Sequence, residues 1–348
     1  MRLERLTLLE ELLNARGVSG DEGEIRKLIG ELCAKRGART ITDALGNIIA
    51  YKEKPGAKRV MLDAHMDEVG FLITGADANG TLKYQPVGGI DPRVVISKRV
   101  EIGKDRVPGV IGVKPIHIST KDDMENALKH KDLRIDIGAK DAAEAERFCP
   151  AGSYASFVSP PTRFGEERIV SRALDDRVGC LALLAALESD LPVDLICAFT
   201  AQEEVGLRGA LVAAKRIRPD IGIALEGTTC NDLGDVSSEK QVVALGKGVA
   251  ISFMDNSSIA HPKLRAALTD CAEVNGIAHQ IKRGVAGGND AGAIQRAYSG
   301  CPTATLSVPC RYIHSANSVA NLSDIESQSE LVIAFLRDFA QYEGRIFE

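Results

Sequence analysis

The stretch Val193-Asp-Leu-Ile-Cys-Ala-Phe-Thr-Ala-Gln-Glu-Glu-Val-Gly206 decides how the rest of the chain is read. Residues 193–200 form an apolar run bounded by Pro192 and a glycine-containing turn, the pattern of a strand buried on both faces. Glu203 and Glu204 follow at its carboxyl end, and in open α/β sheets that rim is where ligands bind. Neighbours in an extended chain point opposite ways, so the two carboxylates are expected to take separate tasks. One would hold a metal and the other would move protons. Alone, such a pair is more often a solvated acidic turn; it gains meaning only if other ligands arrive at the same rim.

Other ligands do arrive. Upstream, residues 3–15 have helical leucine spacing, and Ser19 with Glu22 reads as a capping box opening a second helix to about residue 35. Two strands are expected at 47–52 and 59–64, the second running into AHMDEVG, where His65 and Asp67 are two apart and share a side. Downstream, VSRALDDRVGC places Asp175 and Asp176 before an apolar helix; capping explains one acid but not both, nor Arg177. A helix to about residue 218 and a strand at 221–225 then deliver Glu226. The glycine-rich loop GVAGGNDAGA (284–293) lacks the Gly-Lys-Ser/Thr of a phosphate-binding loop. A strand at 303–308 leads through Pro309 to His314, and a helix from 322 to about 343 closes the chain.

Between about 70 and 165 the texture changes to short Gly-, Pro- and Val-rich alternations, which suggest a β-rich insertion in an otherwise α/β chain. Within it a helix is expected at 141–148, and His117 and His130 stand alone. The bulk properties set bounds. A chain of 348 residues accommodates two domains, and a net charge of −5 gives no reason to expect nucleic acid or an anionic membrane as partner. The eight cysteines follow no Cys-x-x-Cys or disulfide pattern, and Cys180, Cys197 and Cys271 lie in apolar surroundings. The opening helix carries acids, unlike a signal peptide, and no apolar run approaches the roughly 18 residues of a membrane span. A cytoplasmic protein is expected.

His65, Asp175, Glu204, Glu226 and His314 are then five nitrogen or oxygen donors from five segments. Imidazole with carboxylate favours zinc, cobalt or manganese. Five ligands exceed what one catalytic zinc takes, whereas two metals sharing a carboxylate would fit. Such a pair activates water and polarises a carbonyl, leaving a proton shuttle to the protein, a task for which Glu203 is placed. Asp67 can accept the other imidazole N–H of His65 and fix its orientation.

The motifs AHMDEVG, ALDDRVG, AQEEVGLRGA, ALEGTTCND, GGNDAGA and VPCRYIHS occur in that order over nearly the whole chain. Together they resemble the di-metal aminopeptidases of the tetrahedral (TET), glutamyl aminopeptidase and FrvX type. The resemblance implies a mixed, mostly parallel α/β sheet flanked by helices, of the di-zinc exopeptidase type. Residues 1–69 and 166–348 would form the catalytic domain, and 70–165 an inserted β-barrel-like dimerisation domain. It implies two divalent metal ions held by His65, Asp175, Glu204, Glu226 and His314, with Asp175 as the bridge. Glu203 would be the general base, Asp67 the orienting acid, and the Asp175–Asp176 peptide cis. The expected activity is removal of the amino-terminal residue of peptides by a homo-oligomer, from dimer to dodecamer.

Two features depart from the family pattern. Glu226 is Asp in many aminopeptidases of the wider group and Glu in others, including deacylases and carboxypeptidases, which makes a related amidohydrolase the alternative. The segment after His314 reads SANSVAN where many members carry an acid. A glycosidase is disfavoured because Glu203 and Glu204 are neighbours, whereas a hydrolysing pair flanks the sugar bond about 5 Å or more apart. An assembly subunit with a vestigial site is the non-enzyme alternative.

Overall fold

The computed structural model describes residues 1–121, 128–285 and 287–347; Ala286 of the glycine-rich loop lies outside them. Eight strands form the main sheet in the order Arg39–Thr42, Ile48–Lys52, Asp194–Thr200, Arg59–His65, Ile221–Thr229, Thr303–Cys310, Val249–Ser252, His279–Lys282. The four central strands are mutually parallel, and antiparallel pairings join the outer strands to them on either side. The result is a mixed α/β sheet. The Asp194–Thr200 strand is buried from Leu195 onward, as a central parallel strand with both faces covered must be.

Helices cover both faces. Leu3–Asn14, Gly23–Lys35, Leu174–Glu188, Pro262–Val274 and Leu322–Arg337 enclose the larger core with Leu62, Phe199 and Leu225. Arg208–Ile217 and Asp290–Gln295 enclose a smaller one with Met61, Ile196 and Ile294. No helix among the described residues is long and apolar enough to cross a membrane.

A closed six-stranded barrel occupies the middle of the chain, in the order Gly70–Ala76, Leu82–Val87, Arg134–Asp136, Val107–Gly112, Arg99–Ile102, Tyr154–Phe157. It has its own core, in which Phe71 meets Tyr84 and Phe157 edge-on with ring centroids 4.9 and 5.1 Å apart. Its last strand ends at Phe157. The following hairpin, Thr162–Phe164 with Arg168–Ser171, pairs with Ser318–Asn321 in a separate three-stranded sheet and so straddles residue 165.

Four local expectations are corrected. Ser19 and Glu22 form no capping box: Ser19 Oγ donates instead to the buried Asp67 carboxylate at 2.6 Å, and the helix starts at Gly23. A carboxylate is the stronger acceptor, and it outcompetes the helix end. Glu226 lies inside its strand, which continues to Thr229. The third correction concerns Glu203 and Glu204, which sit in a turn after the strand, where Gly206 and Leu207 both donate backbone N–H groups to the Glu203 carbonyl. The last long helix stops at Arg337 and is followed by two short turns of helix.

Candidate metal centre

Strand register brings the donors to one rim. His65 pairs across with Thr200, the last strand residue, three positions before Glu203. Ala224 is opposite Asp63, which sets Glu226 level with His65 on the next parallel strand. His314 follows the Thr303–Cys310 strand, and Asp175 precedes the regular part of Leu174–Glu188, where its φ and ψ and those of Asp176 are non-helical. The Asp175–Asp176 peptide is cis. Ala173, Gln202 and His314 take positive φ, an uncommon conformation for residues with a Cβ, so the backbone beside three of the site segments is held in sparsely populated geometry.

Asp175 faces two ways. Its Oδ1 lies 3.4 Å from His65 Nε2, which in turn is 3.7 Å from Glu226 Oε2 and 3.9 Å from Glu203 Oε2. Its Oδ2 lies 3.5 Å from His314 Nε2, which is 3.3 Å from Glu204 Oε1. One carboxylate thus stands between two imidazole–carboxylate pairs. Gly227 N–H donates to Asp175 Oδ1 at 3.1 Å and helps hold it there.

Both imidazoles are oriented by backbone carbonyls. His65 Nδ1 is 3.0 Å from the Asp67 carbonyl oxygen, and His314 Nδ1 is 2.9 Å from that of Gly89, on a barrel turn. A carbonyl can only accept, so Nδ1 carries the proton and Nε2 of the neutral ring offers its lone pair to the site. The Asp67 carboxylate lies 3.6 Å from His65 Nδ1. Its closer partners are Ser19 Oγ at 2.6 Å and the backbone N–H groups of Glu203 at 3.0 Å and Glu204 at 3.2 Å. Asp67 therefore seats the turn carrying both glutamates, and its main chain rather than its carboxylate makes the shorter contact with the imidazole.

The electrostatics are acid-heavy. Asp63, Asp67, Asp175, Asp176, Glu203, Glu204, Glu226 and Asp290 converge on two histidines. Burial raises the Glu204 pKa to about 7, with His314 only partly offsetting it. Burial also holds Glu203 and Glu226 well above the usual carboxylate range, with neighbouring acids adding to the shift. For the histidines burial opposes the charged form, but the surrounding carboxylates prevail. His314 rises to about 9, led by Glu204, and His65 stands well above its ordinary value, led by Asp175. Asp175 itself is held below the ordinary range by the two imidazoles, against its burial. Lone pairs facing lone pairs at 3.3 to 3.9 Å need either protons or cations between them.

The donor set fits divalent metal ions. Two groups have ligand atoms close enough to share an ion: His65, Asp175 and Glu204, and His65, Asp176 and Glu226. Asp176, which the sequence leaves as an unresolved half of a doublet, is fully buried; its Oδ1 accepts from Gly179 N–H and its Oδ2 has no hydrogen-bond partner among the described residues. Asp63 and Asp290 form a further buried acid pair beneath the site, with Thr200 Oγ1 donating to Asp290 at 2.7 Å. Sequence reasoning missed both, although an acid two residues before His65 on an apolar strand was the available signal for Asp63. Arg177 is explained by Glu68, the neighbour of Asp67: together with Arg172 it forms a buried pair with that carboxylate, while its guanidinium also donates to the Leu12 carbonyl. His117 lies on an exposed turn, and His130 bonds Tyr84 and the Ile90 carbonyl within the barrel.

The donors line an open cleft of about 440 Å³, shared with Thr228, Gly287, Gly288, Ser307 and Lys282. Comparison with known proteins places the chain among aminopeptidases. The family model described as M42 glutamyl aminopeptidase matches residues 46–331. The chain is 33% identical to the glutamyl aminopeptidase of Lactococcus lactis over 338 residues, covering 92% of this chain and 93% of that protein. It is 32% identical to the lysyl aminopeptidase of Pyrococcus furiosus over 339 residues, with 95% and 96% covered. Among solved structures, an aminopeptidase from the archaeon Desulfurococcus kamchatkensis superposes with a TM-score of 0.93 at 33% identity, covering 99% of this chain and 98% of that one. The Pyrococcus horikoshii TET1 peptidase, which can assemble into a tetrahedron or a large octahedral shell, gives 0.84 at 35% identity over 95% and 99%.

Proposed function

Since the chain belongs to the M42 glutamyl aminopeptidase family and is a peptide hydrolase of the aminopeptidase kind, we propose that it releases amino-terminal residues at a two-metal centre. His65 and Glu226 would hold one ion and His314 and Glu204 the other, with Asp175 shared between them. The observation that carries this reading is the division of Asp175, one oxygen toward each imidazole–carboxylate pair. The ions, zinc, cobalt or manganese, supply Lewis acidity for the scissile carbonyl and the attacking water. The protein supplies position and proton transfer. Glu203 lies in the cleft beside His65, with burial raising its proton affinity, and it takes the proton of the attacking water and returns it to the leaving amine. Asp67 keeps Glu203 and Glu204 on their separate sides by accepting both backbone N–H groups.

Residues 1–69 and 166–348 make up the catalytic domain in this reading, and 70–165 the inserted dimerisation domain; the independent barrel core supports that division. The chain acts as a homo-oligomer between dimer and dodecamer, as assembly of the TET1 peptidase supports. Eight unpaired cysteines fit a reducing, cytoplasmic setting. The test is a set of peptides with free and N-acetylated ends, assayed with each metal. The reading expects cleavage only of the free amines; equal cleavage of acetylated peptides would transfer the assignment to the amidohydrolase alternative that Glu226 raises.

A further inference from the structure

Lysyl and glutamyl relatives are equally similar to this chain, so family membership leaves the preferred side chain open. The cleft itself speaks to that choice. Apart from His65 and His314, its only basic residue among the described lining residues is Lys282, at the end of the edge strand His279–Lys282. The side chain is buried, with 7% of the residue exposed, yet its ammonium makes no hydrogen bond and no ion pair with any described residue. The acid that acts on it most strongly, Asp255, has its carboxylate occupied by Ser257, Ser258 and Asn289. The stem is enclosed while the ammonium opens onto the cleft without a protein partner among the described residues, so an anion in the cleft can pair with it.

Position suits a substrate side chain. Three strand spacings, roughly 14 Å, separate the Lys282 and Glu226 backbones. The lysine stem crosses part of that span, and the lining between carries small residues, Ser307, Gly287 and Gly288, that leave room. Resting on the aminopeptidase reading above, we propose that Lys282 is the specificity-determining residue of this cleft. Its ammonium receives the side-chain carboxylate of an amino-terminal Asp or Glu while the metal centre receives the scissile amide.

The test uses the full-length, metal-loaded protein and the p-nitroanilides of Glu, Gln, Leu and Lys, which have no terminal carboxylate. Charge-assisted pairing predicts kcat/KM for Glu above Gln by about 10- to 100-fold. Lys282→Met is expected to bring the Glu-to-Gln ratio near one, and Lys282→Glu to invert the Glu-to-Lys ratio. A wild-type enzyme that takes Gln as readily as Glu, or Lys faster than Glu, overturns the inference without any variant. So does a Glu preference that survives in Lys282→Met. Faster cleavage of Glu-Ala than of Glu-Ala-amide without a side-chain preference would hand Lys282 to the substrate's terminal carboxylate and reject the assignment. If no free-amine anilide is hydrolysed with zinc, cobalt or manganese, the aminopeptidase reading itself falls; turnover with the wrong selectivity removes only the role of Lys282.

Discussion

Replacing Asp67 with Asn isolates the seating of the Glu203–Glu204 turn from the proposed metal ligands themselves. The carboxylate is fully buried and accepts three donors, two of them the backbone N–H groups of the glutamates. Hydrogen bonds to a charged acceptor contribute roughly 1.5 to 3 kcal/mol each, against about 1 for neutral pairs. An amide keeps one acceptor oxygen and turns an NH₂ toward a donor, so one backbone N–H loses its partner, at about 1 to 3 kcal/mol. The expected loss is therefore about 2 to 4 kcal/mol, located where Glu203 and Glu204 are anchored. A displaced turn weakens the metal site and misplaces the proton acceptor, for which 10- to 100-fold losses in metal affinity or turnover are typical. Ser19→Ala removes only the third donor and should produce a several-fold effect at most. The assays are zinc titration into chelator-stripped protein and kcat/KM on an aminoacyl-arylamide. If Asp67→Asn retains both within twofold, Asp67 does not seat this turn in the way its contacts indicate.

Glu203→Gln should keep metal content while lowering turnover by about 10²- to 10⁴-fold, the range for general acid–base catalysis; metal analysis with kinetics decides it, and wild-type turnover removes Glu203 from the mechanism. Gly227→Ala places a Cβ 2.8 Å from Asp175 Oδ1 and 3.0 Å from Asp175 Cβ, so the Asp175 carboxylate must move; if it bridges two ions metal content should fall, and full loading with wild-type kinetics would contradict that role. Metal affinity should depend steeply on pH. Between about 7 and 9 binding must release the His314 proton, a tenfold change per unit, and below about 7 the Glu204 proton as well. The stability of stripped protein runs the other way for Glu204. Its folded pKa is above the unfolded value, so between pH 4 and 7 the folded state holds more of its protons and this contribution fades as pH rises. The gap in melting temperature between loaded and stripped protein should thus widen from pH 6 to 9; a constant gap would refute the protonation scheme.

Much of the site could be read from the chain because the signals were local. His65, Glu203 and Glu204 each follow an apolar run, and parallel register alone brings such positions to one rim. Glu226 was reached too, although its strand runs four residues further than the apolar pattern suggested, since Glu226 itself, Gly227 and two threonines continue the pairing. What stayed hidden was long-range competition. Ser19 looks like a helix cap until Asp67, 48 residues away, takes its hydroxyl. The Asp63–Asp290 pair joins a strand to the start of a helix 227 residues later, and no spacing rule connects them. Lys282 carries no local signal in the sequence, and only the folded sheet shows that it lines the cleft.

The Gly89 carbonyl that steers His314 belongs to the barrel, not to the layer that supplies every other contact to the imidazoles. Whatever displaces the barrel relative to the sheet, by even the length of one hydrogen bond, rotates a ring on which catalysis would depend.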